Sequence, residues 1–295
     1  MKPFTGSAVA LITPMQDEQI NYELYKALLE WHIEEGTQAF IITGTTGESA
    51  TLGKDEKLEL YRIAVETVRG RVPVIANTGT NNTTESVLMS REAEKLGVDG
   101  LLAVTPYYNK PDQNGLYEHF RSIAAAVNIP VVLYNVPGRT AVNLEAKTVL
   151  KLAEIDNIVG IKEASGDLDQ VRTIIENTSD AFAVYSGNDD LYADMLKAGG
   201  DGVISVVANV DPKTTQHLYE VYQTSEDEAF ALQKKLDILN DVLFISPNPV
   251  PAKHALSFLG VPVGPTRLPL TPMPKANAET LEKALSTYGV KGISL

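Results

Sequence analysis

Asn157-Ile158-Val159-Gly160-Ile161-Lys162-Glu163 is an apolar run of strand length that ends in two charges. A run of this kind, without the polar alternation of a half-solvated strand, belongs to a strand buried on both faces, as in a parallel sheet covered by helices. Working outward, similar runs recur at Ser7 to Ile12, Ala39 to Thr43, Pro73 to Asn77, Gly100 to Thr105, Pro130 to Asn135, Ala183 to Ser186 and Gly202 to Val206. Charged segments of helical period lie between them, among them Tyr22 to Glu35, Asp55 to Val68, Thr84 to Leu96 and Glu145 to Ala153. Glu35-Gly36, Leu96-Gly97 and Gly199-Gly200 close helices, while Pro73 and Pro130 open strands. Strand then helix, repeated eight times, predicts an α/β fold of the (β/α)8 TIM-barrel type, which takes about 200 to 250 residues. The chain has 295. Further helical patterns at Glu226 to Phe244, Pro249 to Leu259 and Ala276 to Tyr288 predict a barrel over residues 1–224 and a small helical appendage over 225–295.

Composition narrows the function classes. No stretch approaches the ~20 apolar residues of a membrane span. Met1-Lys2-Pro3-Phe4-Thr5-Gly6 leads into a strand without the apolar core of a signal peptide, so a cytoplasmic protein is expected. With no cysteine, the chain has no disulfide, iron–sulfur cluster or thiolate-bound zinc. His32, His119, His217 and His254 lack metal-ligand spacing, so neither a metal nor another cofactor is expected. A net charge of −13 argues against nucleic acid or an anionic membrane as partner.

In a barrel the chemistry sits where strands end and βα loops begin, and the unusual residues fall there. Lys162 closes a buried strand, and a lysine is almost never buried without a reason. An amine attacks a carbonyl only in its neutral form, which burial favours, so Lys162 is a candidate Schiff-base nucleophile. The competing reading has it leaving for solvent or pairing with Glu163. After the second strand, Gly44-Thr45-Thr46-Gly47-Glu48-Ser49 offers a free backbone, two hydroxyls and amides for a carboxylate, or else an ordinary helix cap. It lacks the Gly-Lys-Ser/Thr of a phosphate loop. After the fourth strand, Tyr107-Tyr108-Asn109 sits between Pro106 and Pro111, as interface packing or as proton carriers. After the fifth, Tyr134-Asn135-Val136-Pro137-Gly138-Arg139-Thr140 pairs a phenol with a guanidinium suited to a carboxylate. Asp189 and Asp190 end the seventh strand and are expected to cap the helix after it rather than hold a cation. No Gly-x-Gly-x-x-Gly follows a strand and opens a helix, which weighs against a dinucleotide. The inventory suits imine chemistry on a small oxo acid.

These motifs, together with Gly160-Ile161-Lys162-Glu163 and Gly202-Val203-Ile204-Ser205-Val206, resemble the dihydrodipicolinate synthase family, also called 4-hydroxy-tetrahydrodipicolinate synthases. The resemblance runs from Phe4-Thr5-Gly6 to Leu268-Pro269-Leu270, with five motifs in order at successive strand ends. It implies condensation of pyruvate with L-aspartate 4-semialdehyde, an early step of diaminopimelate and lysine synthesis. By resemblance Lys162 forms the imine with pyruvate, and Tyr134, Thr45 and Tyr108 form a proton relay, with Tyr108 supplied across a tight-dimer interface. Thr46 and the carbonyl of Ile204 hold the pyruvate carboxylate, and Arg139 holds that of the semialdehyde. A homotetramer of tight dimers is implied, as is a candidate allosteric lysine site at Ser49, Ala50, Asn81, Glu85 and Tyr107, where Lys54 and Lys57 replace the histidines of strongly inhibited members. The related N-acetylneuraminate lyases and 2-keto-3-deoxy sugar-acid aldolases share the lysine, the first tyrosine and the threonine loop. Arg139 separates them, because a sugar acceptor wants hydroxyl partners where a short oxo acid wants a guanidinium. A catalytically silent metabolite-binding barrel is the alternative from another class, disfavoured by the intact relay.

Overall fold

A computed structural model describes residues 2–295. Eight parallel strands close into a barrel in chain order: β1 (Gly6–Ala10), β2 (Ala39–Ile42), β3 (Val74–Asn77), β4 (Gly100–Val104), β5 (Val131–Asn135), β6 (Ile158–Glu163), β7 (Ala183–Ser186) and β8 (Gly202–Ser205), which pairs back onto β1. The principal helices between them are α1 (Tyr22–Glu34), α2 (Lys54–Val68), α3 (Thr83–Lys95), α4 (Gln113–Ala124), α5 (Ala146–Leu152), α6 (Leu168–Asn177), α7 (Tyr192–Lys197) and α8 (Pro212–Tyr222). The (β/α)8 expectation is met, with strand and helix ends within two residues of those read from the sequence. Pro73 and Pro130 fall just before their strands because they lack an N–H, yet their carbonyls accept from Phe40 and Leu101. Among the described residues no helix is long and apolar enough to cross a membrane.

Side chains alternate along each strand. Val9, Phe40, Ile42, Leu101, Val131, Leu133 and Ile161 pack outward under the helices. Ala8, Ile41, Leu102, Val132, Tyr134, Tyr185 and Ile204 fill the barrel, with Phe4 stacked on Tyr185 at 4.1 Å.

One irregularity decides the chemistry. Val131 pairs with Ile158, but Val132 pairs with Gly160, so β6 bulges at Val159. Without that extra residue strict alternation would send Lys162 outward, on the same face as Ile158. With it, Lys162 comes into register with Tyr134 on one side and Tyr185 on the other, all facing inward. Gly160 is required at the bulge, since a Cβ there would meet the Ala183 carbonyl oxygen at 2.6 Å.

Beyond α8 come α9 (Glu226–Leu243), α10 (Val250–Phe258) and α11 (Lys275–Tyr288). Their apolar faces share a single cluster with the barrel: Leu239, Leu243, Leu256 and Leu281 pack with Ile12, Val203, Val206 and Val207. The last helices therefore sit against β1 and β8, beside the loops where the chemistry is expected.

Candidate active site

Lys162 is 6% exposed, and its Nζ lies 4.5 Å from the centre of the Tyr134 ring. The alternative pairing with Glu163 is ruled out by strand geometry, because consecutive residues point to opposite faces. Glu163 faces the other way, where its carboxylate accepts from the side chains of Asn135 (3.0 Å) and Gln170 (2.9 Å) and from the Ser165 amide (2.7 Å). Gly187 makes room for the lysine: a Cβ there would lie 2.5 Å from Ala164 Cβ and 3.0 Å from Lys162 Cε.

Lys162 lines a cavity of ≈ 310 Å³ together with Thr45, Thr46, Tyr134, Arg139, Asp189 and Asn248. That is the lower end of the 300–1,000 Å³ usual for ligand sites, and it suits small acids better than nucleotides. A second cavity of ≈ 350 Å³ adjoins it, lined by Ser49, Ala50, Lys57, Thr80, Tyr107 and Leu270, with Thr45, Tyr134, Val136, Arg139 and Asn248 common to both.

The threonine loop is not the cap of α2. Gly53 takes that place, its N–H donating to Glu56 Oε2 at 2.8 Å, which leaves Gly44 to Ser49 free for another role. Thr46 is buried, and its hydroxyl accepts from Asn248 Nδ2 at 2.9 Å. Because that oxygen already accepts, its own proton is free to point at a ligand carboxylate. Arg139 is carried by a short helix, Pro137–Thr140, and among the described residues no carboxylate forms a salt bridge with it. An unpaired guanidinium on a cavity wall is a ready receptor for an incoming carboxylate.

Other candidates fall elsewhere. Tyr134 and Thr45 share both cavities, but among the described residues no hydrogen bond joins them, and Tyr108 is 89% exposed, held at φ +75° outside both cavities. The Ile204 side chain packs in the barrel interior, and Val206, two residues on, lines the cavity wall. Ser49, Ala50 and Tyr107 line the second cavity. Asn81 does not; its side chain donates to the Tyr107 carbonyl at 3.1 Å. Lys57 lines this cavity and Lys54 does not; burial lowers the Lys57 pKa, and the charge of Glu85 opposes that.

Three features went unread in the sequence. Asp189 does not cap α7; its carboxylate accepts from the Ser205 hydroxyl and from the Val206 amide at 2.9 Å, so it holds the turn after β8. Burial pushes the Asp189 carboxyl above its usual range, against those hydrogen bonds and the nearby charge of Lys162. Asn248, from the segment before α10, reaches Thr46 and leaves its Oδ1 buried with no partner among the described residues. Glu48 and Lys253 form a buried ion pair at 2.8 Å. Only the cap-like pair Asp189-Asp190 carried a local signal, because the other contacts join residues some two hundred positions apart.

Comparison with known proteins agrees with this geometry. The profile of the Dihydrodipicolinate synthetase family matches residues 3–288. The chain is 48% identical over 291 residues to 4-hydroxy-tetrahydrodipicolinate synthase 1 of Clostridium acetobutylicum, covering 98% of this chain and 99% of that one. Among solved structures it is similar to the dihydrodipicolinate synthase of Cyanidioschyzon merolae with lysine bound (TM-score 0.96, 43% identity, 97% and 99% of the two chains covered). It is equally similar to the chloride-inhibited enzyme of Acinetobacter baumannii complexed with pyruvate (TM-score 0.95, 43% identity, the same coverage).

Proposed function

The chain belongs to the dihydrodipicolinate synthetase family, and from that premise we propose that it is a 4-hydroxy-tetrahydrodipicolinate synthase, condensing pyruvate with L-aspartate 4-semialdehyde through an imine on Lys162. The observation that carries this reading is the inward lysine, buried against Tyr134 in a small cavity whose wall also holds Thr46 and an unpaired Arg139. The lysine amine attacks the ketone of pyruvate, and water leaves as the imine forms. Loss of a methyl proton then gives an enamine that attacks the aldehyde of the second substrate. Tyr134, beside the lysine, is assigned to carry protons for these steps, with Thr45 on the same cavity wall as its partner in the relay, since a phenol gains from a neighbouring hydroxyl.

Thr46 and its neighbouring amides, with the carbonyl of Ile204, are assigned to the pyruvate carboxylate, and Arg139 to that of the semialdehyde. Tyr108 is exposed and lines neither cavity, which supports its donation to a neighbouring subunit. A tetramer built from tight dimers and a cytoplasmic location complete the reading. A coupled assay offering aspartate semialdehyde, N-acetylneuraminate and 2-keto-3-deoxygluconate tests it. Turnover with the first alone is expected. Turnover with a sugar acid would transfer the chain to the lyases, and pyruvate binding without turnover would make it a silent barrel.

A further inference from the structure

The threonine loop is anchored from the far end of the chain. Glu48 stands at φ +60°, a conformation that a non-glycine residue keeps only where its surroundings over-determine it. Its Oε1 accepts from Lys253 Nζ at 2.8 Å and its Oε2 from the Arg267 amide at 2.9 Å, while Lys253 also donates to the Pro265 carbonyl at 2.8 Å. The two side chains are 1% and 3% exposed. Desolvating such a pair is so unfavourable that apolar residues of like volume serve stability as well or better. What an ion pair adds is direction, since each oxygen fixes one bond. The backbone carries that direction into the site: the Glu48 amide donates to the Thr45 carbonyl at 3.1 Å, and Ser49 donates to Gly44 at 3.2 Å. A shift of Glu48 therefore shifts the two threonines on the cavity wall. The loop is also tied by the Thr13 hydroxyl donating to the Gly47 carbonyl at 2.8 Å, by Asn248 donating to the Thr46 hydroxyl at 2.9 Å and by Asn77 donating to the Ser49 hydroxyl at 3.3 Å.

Building on the functional reading above, we propose that the Glu48–Lys253 pair is a positioning device, through which α10 holds Thr45 and Thr46 in register for substrate. The experiment compares Glu48→Met, Lys253→Met and the double variant with the parent chain, measuring thermal midpoint, KM for pyruvate and the rate of borohydride-trapped imine. Each single variant strands a buried charge or its partners and should melt lower. The double variant should melt above both singles, yet keep a KM for pyruvate raised about tenfold or more, because misplacing a binding group by an ångström has effects on that scale. Glu48→Gln combined with Lys253→Met removes both charges while keeping the shape of Glu48, and should show the same split if the methionine pair fails to fold. Parent-like KM in a folded double variant, or KM changes that only follow the melting temperature, would overturn the proposal. The parent's own imine signal is the reference, so failure of the functional reading shows there, separately.

Discussion

The first cavity holds the buried Lys162, whereas the second borders half-exposed Tyr107 and carries Lys57, although Thr45, Tyr134, Val136, Arg139 and Asn248 line both. We propose a different task for each side of the shared wall. Covalent chemistry needs a buried amine fixed by a strand bulge, while a regulatory or partner-facing surface needs access. A ligand in the second cavity would touch residues that serve the first without approaching the lysine.

The sharpest way to break this division is to remove the amine. Lys162→Ala should abolish the borohydride-trapped pyruvate adduct and lower turnover by ~10³-fold or more, the scale of losing covalent catalysis. Mass spectrometry of the trapped peptide checks it; an adduct on Lys57 would exchange the roles of the two cavities, and one on any other lysine would sink the assignment.

Arg139 belongs to the shared wall, and its loss should be felt by the acceptor alone. Arg139→Ala should raise KM for aspartate semialdehyde by an amount equivalent to ~2–4 kcal/mol, as for an unpaired carboxylate in a partly desolvated site. Pyruvate imine formation should be unchanged. Equal weakening of both substrates, measured by steady-state kinetics, would remove the clamp role.

How far the site was legible follows from how local its signals are. Strand runs and helix periods are local, so the barrel and the loops carrying Thr45, Tyr134 and Arg139 could be placed. The inward turn of Lys162 is not local. It depends on a bulge at Val159 visible only through its pairing with β5, and Gly160 gave no sign of it in isolation. Asn248 on Thr46 and Lys253 on Glu48 were illegible for the same reason, because α10 returns to the threonine loop only once the barrel has closed. Asp189 shows the opposite error: a residue with a good cap signature serves the next strand's turn instead.

Tyr108, proposed above as a residue of the neighbouring subunit's site, tests what one chain completes. Tyr108→Phe should lower turnover by roughly 10² or more, as for a general acid or relay. Mixing it with Lys162→Ala should restore roughly a quarter of parental activity once subunits exchange, since half of randomly paired dimers are hybrids with one intact site. No recovery despite exchange verified by native mass spectrometry would place Tyr108 in its own subunit's site, or outside catalysis.

The smallest effect is expected at the second cavity. Lysine as a ligand would bring its own ammonium to a site where Lys57 already stands on the wall, with Lys54 outside it. At an effective dielectric near ~20, one like charge within ~6 Å opposes binding by about 2–3 kcal/mol, roughly two orders of magnitude in affinity. Glu85, whose charge acts on Lys57, offsets part of this. L-lysine should therefore inhibit turnover weakly or not at all, and Lys57→His, which trades a permanent cation for a group mostly neutral at pH 7 or above, should strengthen it. Half-inhibition of the parent chain well below a millimolar, in a titration of L-lysine against steady-state turnover, would show that the second cavity tolerates the extra cation and that charge does not set its ligand.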